Sequence, residues 1–289
     1  MIIAVASGKG GTGKTTVAVG LALSLLESPP PDASGIAMVD CDVEAPNAAL
    51  FLKPDLELEE PVELLIPKVD LDTCVLCGEC AEACQYHALA VVGEKVLVFE
   101  DLCHGCGSCA RICPVGAITE VPYRIGTVAK GRVGSMRFVH GHLDIGRPMA
   151  VPIIRQEKHA VDGYGDGGVV VVDAPPGAAC PAVAAMRGAD FVLLVTEPTP
   201  FGLHDLKAAV QVARDELGIP VGVVINRDSI GDDGVERYCA EEEIPILLRI
   251  PFDRRVAESY ADGAPITQAL PELKDAFLEL FDTMRKVVS

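Results

Sequence analysis

The chain has 289 residues, enough for one large domain and one small domain with a sizeable buried core. Its 24 basic and 42 acidic residues give a formal net charge of -18, which repels phosphate backbones and anionic lipid headgroups, so neither a nucleic-acid partner nor a membrane partner is expected. No apolar stretch reaches the roughly 20 residues that a membrane-spanning helix needs, and we expect a cytoplasmic protein.

The N-terminus predicts a strand, a Gly-rich turn and a helix in immediate succession. The apolar run "MIIAVAS" leads into "GKGGTGKT", Gly8 to Thr15, and then into the helical stretch "TTVAVGLALSLLE". Glycines placed between a strand and a helix N-terminus let backbone N–H groups surround phosphate oxygens, and the helix dipole favours their negative charge. Lys14 is expected to reach the terminal phosphates and the Thr15 hydroxyl to bind magnesium.

The segments that follow predict a doubly wound α/β fold. "SPPPDASG" breaks the chain before a second strand, "IAMVD", and three later apolar runs are typical of strands buried on both faces of a mostly parallel sheet. These runs are "VVVVDAPPG", "FVLLVTEP" and "VGVVINRD", and helical segments such as "HDLKAAVQVARDELG" separate them. The stretch from Tyr123 to His159 has no clear periodicity, and we expect it to return the chain to the sheet.

Two cysteine runs interrupt this alternation of strands and helices between about Pro61 and Val121. They repeat each other at a fixed offset, so that Cys74 matches Cys103 and Ala88 matches Ala117. Each run is C-x2-C-x2-C-x3-C, the spacing that places three thiolates on one 4Fe-4S cluster and sends the fourth cysteine to the other cluster. The expected ligands are Cys74, Cys77, Cys80 and Cys113 for one cluster, and Cys84, Cys103, Cys106 and Cys109 for the second.

This segment resembles a bacterial two-cluster ferredoxin, which implies a small α+β domain inserted into the larger one. The predicted division is residues 1–60, 61–121 and 122–289, with the first and third parts forming one domain. Zinc is the alternative, because paired C-x2-C units also bind zinc. The first run ends in Cys84-Gln85 and the second in Cys113-Pro114, so only the first keeps a backbone N–H after its last cysteine.

The phosphate loop has a further feature, because "KGGTGKT" resembles the deviant Walker A motif of the MinD, ParA, Mrp and nitrogenase iron-protein superfamily. The resemblance implies a P-loop NTPase fold and an ATP-dependent homodimer in which Lys9 crosses to the partner's nucleotide. The alternative is that Lys9 is a solvated loop charge. The guanine-reading N-K-x-D motif of GTPases is absent from the sequence, which favours ATP.

The resemblance extends to the strand ends. Asp40 and Asp42 in "VDCDVEAPN" are similar to the first switch, in which the second aspartate activates water, and Asp173 would lie in the magnesium shell before the second switch. Asp40 alternatively caps the next turn. The implied sets are Lys9, Lys14 and Asp42 for catalysis; Thr15, Asp40 and Asp173 for magnesium; and Gly8, Lys9, Gly10, Gly11, Thr12, Gly13, Lys14, Thr15, Thr16, Gly177 and Asn226 for ATP.

Three cysteines lie outside the two runs. Cys41 and Cys239 are expected to be buried small apolar side chains. Cys180 follows Asp173 by seven residues, the offset at which the nitrogenase iron protein has a ligand of its dimer-bridging cluster. A shared cluster at Cys180 is an alternative that iron counting would test.

The resemblance implies ATP hydrolysis, expected to be slow without a partner, and leaves its use open. The first hypothesis is an ATP-gated electron carrier with an unidentified redox partner. The second is an Mrp-like carrier that loads clusters onto a client, and the third is a MinD-like or ParA-like positioning switch with redox-sensing clusters. The C-terminal stripe of Leu273, Phe277, Leu280, Phe281 and Met284 is expected to pack on the parent domain rather than on lipid.

Overall fold

Nine strands of the computed structural model, which describes residues 1–164 and 167–288, form one sheet. The eleven strands of these residues are β1 (Ile2–Ala6), β2 (Ile36–Asp40), β3 (Asp55–Val69), β4 (Leu89–Val92), β5 (Lys95–Val98), β6 (Ile118–Val133), β7 (Met136–Leu143), β8 (Val169–Asp173), β9 (Phe191–Thr196), β10 (Val221–Asn226) and β11 (Ile246–Ile250). The large sheet has the order β11-β10-β9-β1-β8-β2-β7-β6-β3, and β4 pairs with β5 separately.

The large sheet is parallel from β11 to β7, and at one edge β6 pairs antiparallel with both β7 and β3. The expected mostly parallel α/β sheet is therefore confirmed. Its inner strands are continuous apolar runs because helices cover both faces, and β1, β2, β8 and β9 are almost wholly buried.

Helices outside the cysteine runs cover the two faces of this sheet, whereas α3 and α4 lie within the two runs. The α-helices of the described residues are α1 (Lys14–Glu27), α2 (Ala48–Leu52), α3 (Glu79–Ala83), α4 (Ser108–Ile112), α5 (Val151–His159), α6 (Cys180–Met186), α7 (Pro200–Val210), α8 (Gly234–Glu241), α9 (Arg254–Ala261), α10 (Ile266–Ala269) and α11 (Leu273–Val288). The five apolar residues of the C-terminal stripe are all buried on α11, and Phe277 packs against Gly20 of α1. The prediction that α11 packs on its own domain is confirmed.

A long antiparallel ribbon connects the sheet to the cysteine segment. β3 and β6 pair from Asp55 and Arg132 in the sheet to Val69 and Ile118 at the far end, where α3, β4, β5 and α4 follow. The expected domain boundaries at residues 61 and 121 lie within these two strands. The ribbon is therefore both the edge of the large sheet and the stem of the cysteine segment.

The stretch without periodicity, from Tyr123 to His159, contains most of β6, all of β7 and α5. β7 pairs in parallel with β2, so that the chain does return to the sheet there. Glycine and charged side chains alternate irregularly along β6 and β7, which hides the strand pattern. Among the described residues, none of the helices combines the length and apolar character needed to cross a membrane.

Candidate nucleotide site and cysteine cavities

The phosphate loop and the ends of the central strands meet at one edge of the sheet, because β1 and its parallel neighbour β8 end there. Lys14 begins α1 and is buried, and its Nζ lies 3.9 Å from Oδ1 of Asp173 at the end of β8. Burial raises the pKa of Asp173 to about 6, although Lys14 acts in the opposite direction. At such a site the lysine and the helix N-terminus can bind phosphate, and the buried carboxylate can bind a cation.

Buried polar atoms without partners mark the same place. Both carboxylate oxygens of Asp173 and the Thr12 hydroxyl have no hydrogen-bond partner within residues 1–164 and 167–288. A buried carboxylate that accepts no hydrogen bond is costly unless a ligand or cation satisfies it. Oxygen ligands of this kind suit magnesium, and the buried Thr15 lies beside Lys14 on the same turn. The residues present therefore fit a magnesium–nucleotide complex.

The first-switch aspartates have different environments. The Asp40 carboxylate accepts hydrogen bonds from the backbone N–H groups of Asp42, Asn47 and Ala48, at 3.2, 3.0 and 2.9 Å. Burial, followed by the charge of Asp173, raises the pKa of Asp40 to about 7. Asp40 therefore organises the loop that follows β2, as an Asx-type cap does. Asp42 is half-buried, and burial raises its pKa while the charge of Lys14 acts in the opposite direction.

Asn226 and Gly177 both contact the phosphate loop. The Asn226 amide donates to the Thr12 carbonyl at 2.8 Å, which leaves its second amide hydrogen for a ligand. Gly13 has a φ of 93°, and a Cβ there would lie 2.4 Å from the Asn226 amide nitrogen. The Gly177 N–H donates at 2.9 Å to the carbonyl of Ser7, the residue directly before the phosphate loop.

The contact partner of Lys9 is a residue that the sequence reasoning missed. Glu197 follows β9 directly, and its Oε2 lies 3.7 Å from Lys9 Nζ while its Oε1 accepts from Arg227 at 2.5 Å. Glu197 is buried, and Arg227 is adjacent to Asn226. Glu197 could have been found from the sequence as an acidic residue that directly follows a buried strand.

The two halves of the cysteine segment repeat each other in structure. Asp70 N–H donates to the Ala117 carbonyl and Phe99 N–H to the Ala88 carbonyl, each at 2.8 Å, so the two halves exchange equivalent bonds. α3 and α4 also occupy equivalent positions. Positive φ values recur in matching pairs, at Leu76 (56°) and Gly105 (63°), Gly78 (84°) and Gly107 (71°), and His87 (52°) and Gly116 (66°).

This pairing brings the cysteines together in two groups of four. Cavity 1 is lined by Cys74, Cys77, Cys80 and Cys113, and cavity 2 by Cys84, Cys103, Cys106 and Cys109. The last cysteine of each run therefore lies with the first three of the other run.

The four thiolates that line each cavity fit a 4Fe-4S cluster, which takes one thiolate at each of its irons. Within residues 1–164 and 167–288, no three Cys, His, Asp or Glu side chains converge closely enough to hold a single metal ion. A zinc site needs its thiolates within about 2.3 Å of one point, whereas a cubane takes one thiolate at each of four separate irons. All eight cysteines are free thiols, and no disulfide competes with ligation.

Hydrogen bonds reach several of these sulfurs. Ala88 N–H donates to Cys84 Sγ at 3.3 Å, and the matching Ala117 N–H donates to Cys113 Sγ at 3.2 Å. The hydrogen bond with Ser108 lowers the pKa of the Cys106 thiol. Such bonds favour the thiolate, which is the form that binds iron.

The remaining cysteines divide as expected by burial. Cys41 and Cys239 are buried, which agrees with the prediction of apolar packing, and burial raises the pKa of both thiols. Cys180 is exposed at the first residue of α6. It contacts neither cavity, because the residues that line the cavities all come from the cysteine segment and the ribbon.

Comparisons with known proteins agree with this architecture. Residues 3–266 match the model of the CobQ/CobB/MinD/ParA nucleotide binding domain. An uncharacterized protein of Methanocaldococcus jannaschii is 32% identical, with 91% of this chain and 90% of that protein aligned. An iron-sulfur cluster carrier protein of Synechocystis is 25% identical over 95% of this chain and 67% of its own length. The cell division ATPase MinD of Pyrococcus furiosus superposes with a TM-score of 0.59 at 22% identity, covering 99% of this chain and 98% of that one.

Proposed function

Since the chain belongs to the CobQ/CobB/MinD/ParA nucleotide-binding family, we propose that it binds and hydrolyses ATP as a nucleotide-dependent homodimer and couples the ATP state to electron transfer through two 4Fe-4S clusters. The observation that carries the proposal is that one chain combines this nucleotide site with two cavities of four cysteines each. In this proposal, binding and hydrolysis of ATP control electron transfer through the clusters.

The hydrolytic roles follow from the positions of the side chains. Lys14 neutralises charge that develops on the terminal phosphates, and Lys9 of the partner subunit does so from across the dimer. Asp42 orients the attacking water from the loop after β2. Thr15 and Asp173 would hold magnesium, which would supply positive charge beside the phosphates, and Asp40 supports the loop beside them.

Bound clusters would accept and release single electrons, and no covalent bond of the protein would form or break. In this proposal Cys74, Cys77, Cys80 and Cys113 hold one cluster and the four cysteines of cavity 2 hold the other. The protein's part is to fix the thiolates, to donate N–H groups to Cys84 and Cys113, and to limit access of water.

A short chain of contacts supports coupling between the two sites. The carbonyl of Val43, next to Asp42, accepts from the Leu143 N–H at 2.8 Å, at the end of β7. Four residues later, Arg147 forms a 3.0 Å ion pair with Asp101, which lies two residues before Cys103. A movement of the Asp42 loop would therefore be transmitted to the second cysteine run through the residues after β7.

The experiment that tests the proposal uses protein purified and kept under strict anaerobiosis. Iron and sulfide are counted, with about eight of each expected per chain, four from each cubane. The reduction potentials are then measured with no nucleotide, with ADP and with ATP. We expect ATP to shift at least one potential, and unchanged potentials in a protein that does dimerise would contradict the coupling.

Cluster carriage is the second candidate, because the Synechocystis relative is named an iron-sulfur cluster carrier protein. Against it, each cavity offers four thiolates, a complete ligand set that disfavours release. Incubation of the loaded protein with an apo-ferredoxin acceptor separates the two functions. ATP-dependent loss of iron to the acceptor would favour the carrier, and retention of the iron would favour electron transfer.

A further inference from the structure

The two cysteine cavities differ in the polar groups that face their sulfurs. In cavity 2, three ligand sulfurs have a polar contact: Cys84 with Ala88 N at 3.3 Å, Cys103 with Gly105 N at 3.5 Å, and Cys106 with Ser108 Oγ at 3.4 Å. In cavity 1, only Cys113 has such a contact among the described residues, with Ala117 N at 3.2 Å. The Cys84 and Cys113 contacts are equivalent in the repeat, so the Gly105 and Ser108 contacts are the real difference.

The repeat explains why these two contacts occur once. Ser108 is the first residue of α4, and the matching first residue of α3 is Glu79, whose side chain has no hydroxyl to donate. Gly105 corresponds to Leu76, for which no hydrogen bond to sulfur occurs within the described residues. Ser108 is exposed, so its hydroxyl contact is not forced by packing.

The other side chains that line the two cavities also differ. Cavity 1 is walled by aliphatic side chains, among them Val75 and Val115. At the matching positions cavity 2 has His104 and Tyr86, whose rings stack at 3.5 Å with an angle of 9°. Cavity 2 therefore has side chains with polar atoms at two positions where cavity 1 has valines.

Hydrogen bonds to the sulfurs of an iron–sulfur cluster stabilise the added electron, because they offset negative charge on the sulfur. We propose that the cluster of cavity 2 has the higher reduction potential of the two, and that the Ser108 hydroxyl contributes to that difference. The hydroxyl oxygen accepts from the Cys106 thiol at 3.4 Å, and once Cys106 is an iron-bound thiolate the same hydroxyl would donate to the sulfur. This inference rests on the proposed function, since it assumes that both cavities hold 4Fe-4S clusters. An electron shared by the two clusters then resides at cavity 2.

One charge acts against this difference. Glu120 lines the mouth of cavity 2, and a negative charge there lowers the potential. Its side chain is exposed, so solvent and salt screen it, whereas the hydrogen bonds act directly on the sulfurs. Glu120 therefore lowers the reduction potential of the cavity 2 cluster, whereas Ser108 raises it.

The test is a potentiometric titration of the anaerobic protein with dithionite and mediators, followed by electron paramagnetic resonance. Each cluster takes up one electron from dithionite, and no bond forms or breaks. We expect two separate one-electron steps. Ser108→Ala should lower the potential of the higher step, Ser108→Thr should restore it by keeping a hydroxyl, and Glu120→Gln should raise it, each leaving the lower step in place.

Iron counting separates the two levels of failure. Protein with fewer than two clusters per chain would overturn the proposed function together with this inference. With both clusters present, coincident steps in the wild type would overturn the inference alone. A change of the lower step in Ser108→Ala, or no change of either step, would also overturn it.

Discussion

Lys9 is paired within its own chain, with its Nζ 3.7 Å from Oε2 of Glu197, which also binds Arg227. The lysine that we propose for the partner's nucleotide is therefore held in cis, and it must leave Glu197 before it can cross to a second protomer. Glu197 lies on the loop after β9, next to the phosphate loop. Breaking this ion pair is a cost that dimer formation has to offset.

Glu197→Gln is expected to favour the ATP-dependent dimer, because the neutral amide holds Lys9 less strongly. A partly exposed ion pair is worth up to about 1 kcal/mol, so the ATP concentration for half-maximal dimerisation should fall by up to about fivefold. Sedimentation velocity over an ATP series measures it. The double variant with Lys9→Ala should remain monomeric, and a dimer in that variant would contradict the role of Lys9.

Lys14→Ala and Lys9→Ala are expected to fail at different steps. Lys14 lies at the start of α1 beside Asp173, so its loss removes the charge that meets the terminal phosphates and should abolish ATP binding, as measured by calorimetry. Lys9→Ala should bind ATP as a monomer and lose dimerisation and hydrolysis. ATP binding by Lys14→Ala with wild-type affinity would show that the nucleotide lies elsewhere.

Asp101→Asn tests whether the residues after β7 transmit the ATP state. The variant removes the ion pair with Arg147 and should reduce or abolish the ATP-induced change in reduction potential, while iron content and ATP hydrolysis stay near wild type. Glu57→Gln is the matched control, since it breaks an exposed ion pair with Arg132 that lies on the ribbon and outside the residues after β7. A full ATP response in Asp101→Asn would exclude this route.

Cys180→Ser is expected to leave the iron content and the dimer unchanged. Cys180 is exposed on α6 and lines neither cysteine cavity, so neither proposed cluster needs it. Iron analysis of the ATP-bound dimer, compared with the wild type, measures this. Loss of about four irons per dimer in the variant would instead assign Cys180 to a cluster shared by two subunits.

The elements that the sequence predicted well have strong local patterns. The apolar runs of β1, β8, β9 and β10 are buried on both faces, and the phosphate loop needs its glycines in one fixed place. The parts that were not predicted depend on tertiary contacts. β7 has no alternation because glycine and histidine interrupt it, and its place in the sheet comes from pairing with β2.

The same distinction applies to the candidate sites. The spacing predicted that the last cysteine of each run lies with the first three of the other run, and the two cavities have their cysteines in that grouping. That each group holds a cluster stays a prediction. Glu197 could not be related to Lys9 from the sequence, because the contact joins loops that are far apart in the chain. Leu76 and His87 adopt positive φ values at positions where the second run has glycines. Positive φ is uncommon for residues other than glycine, so the sequence of the first run did not predict this backbone shape.

Glu157 provides a test of pH dependence outside both sites. It is fully buried on α5, and burial, with a contribution from the charge of Asp40, raises its pKa well above the usual value for a carboxyl. The unfolded chain ionises this group above about pH 4.5, whereas the folded chain must keep it protonated, so it reduces stability as pH rises from there to the folded pKa. Glu157→Gln keeps the shape without the ionisation.

We therefore expect Glu157→Gln to unfold at a higher urea concentration than the wild type at pH 8, with the difference shrinking toward pH 5. One unit of raised pKa is worth about 1.4 kcal/mol, so a gain of at least about 1 kcal/mol is expected at the higher pH. Urea unfolding under anaerobic conditions measures both proteins. A difference that does not change with pH would mean that Glu157 is ionised in the folded protein, with a cation or polar group compensating its buried charge.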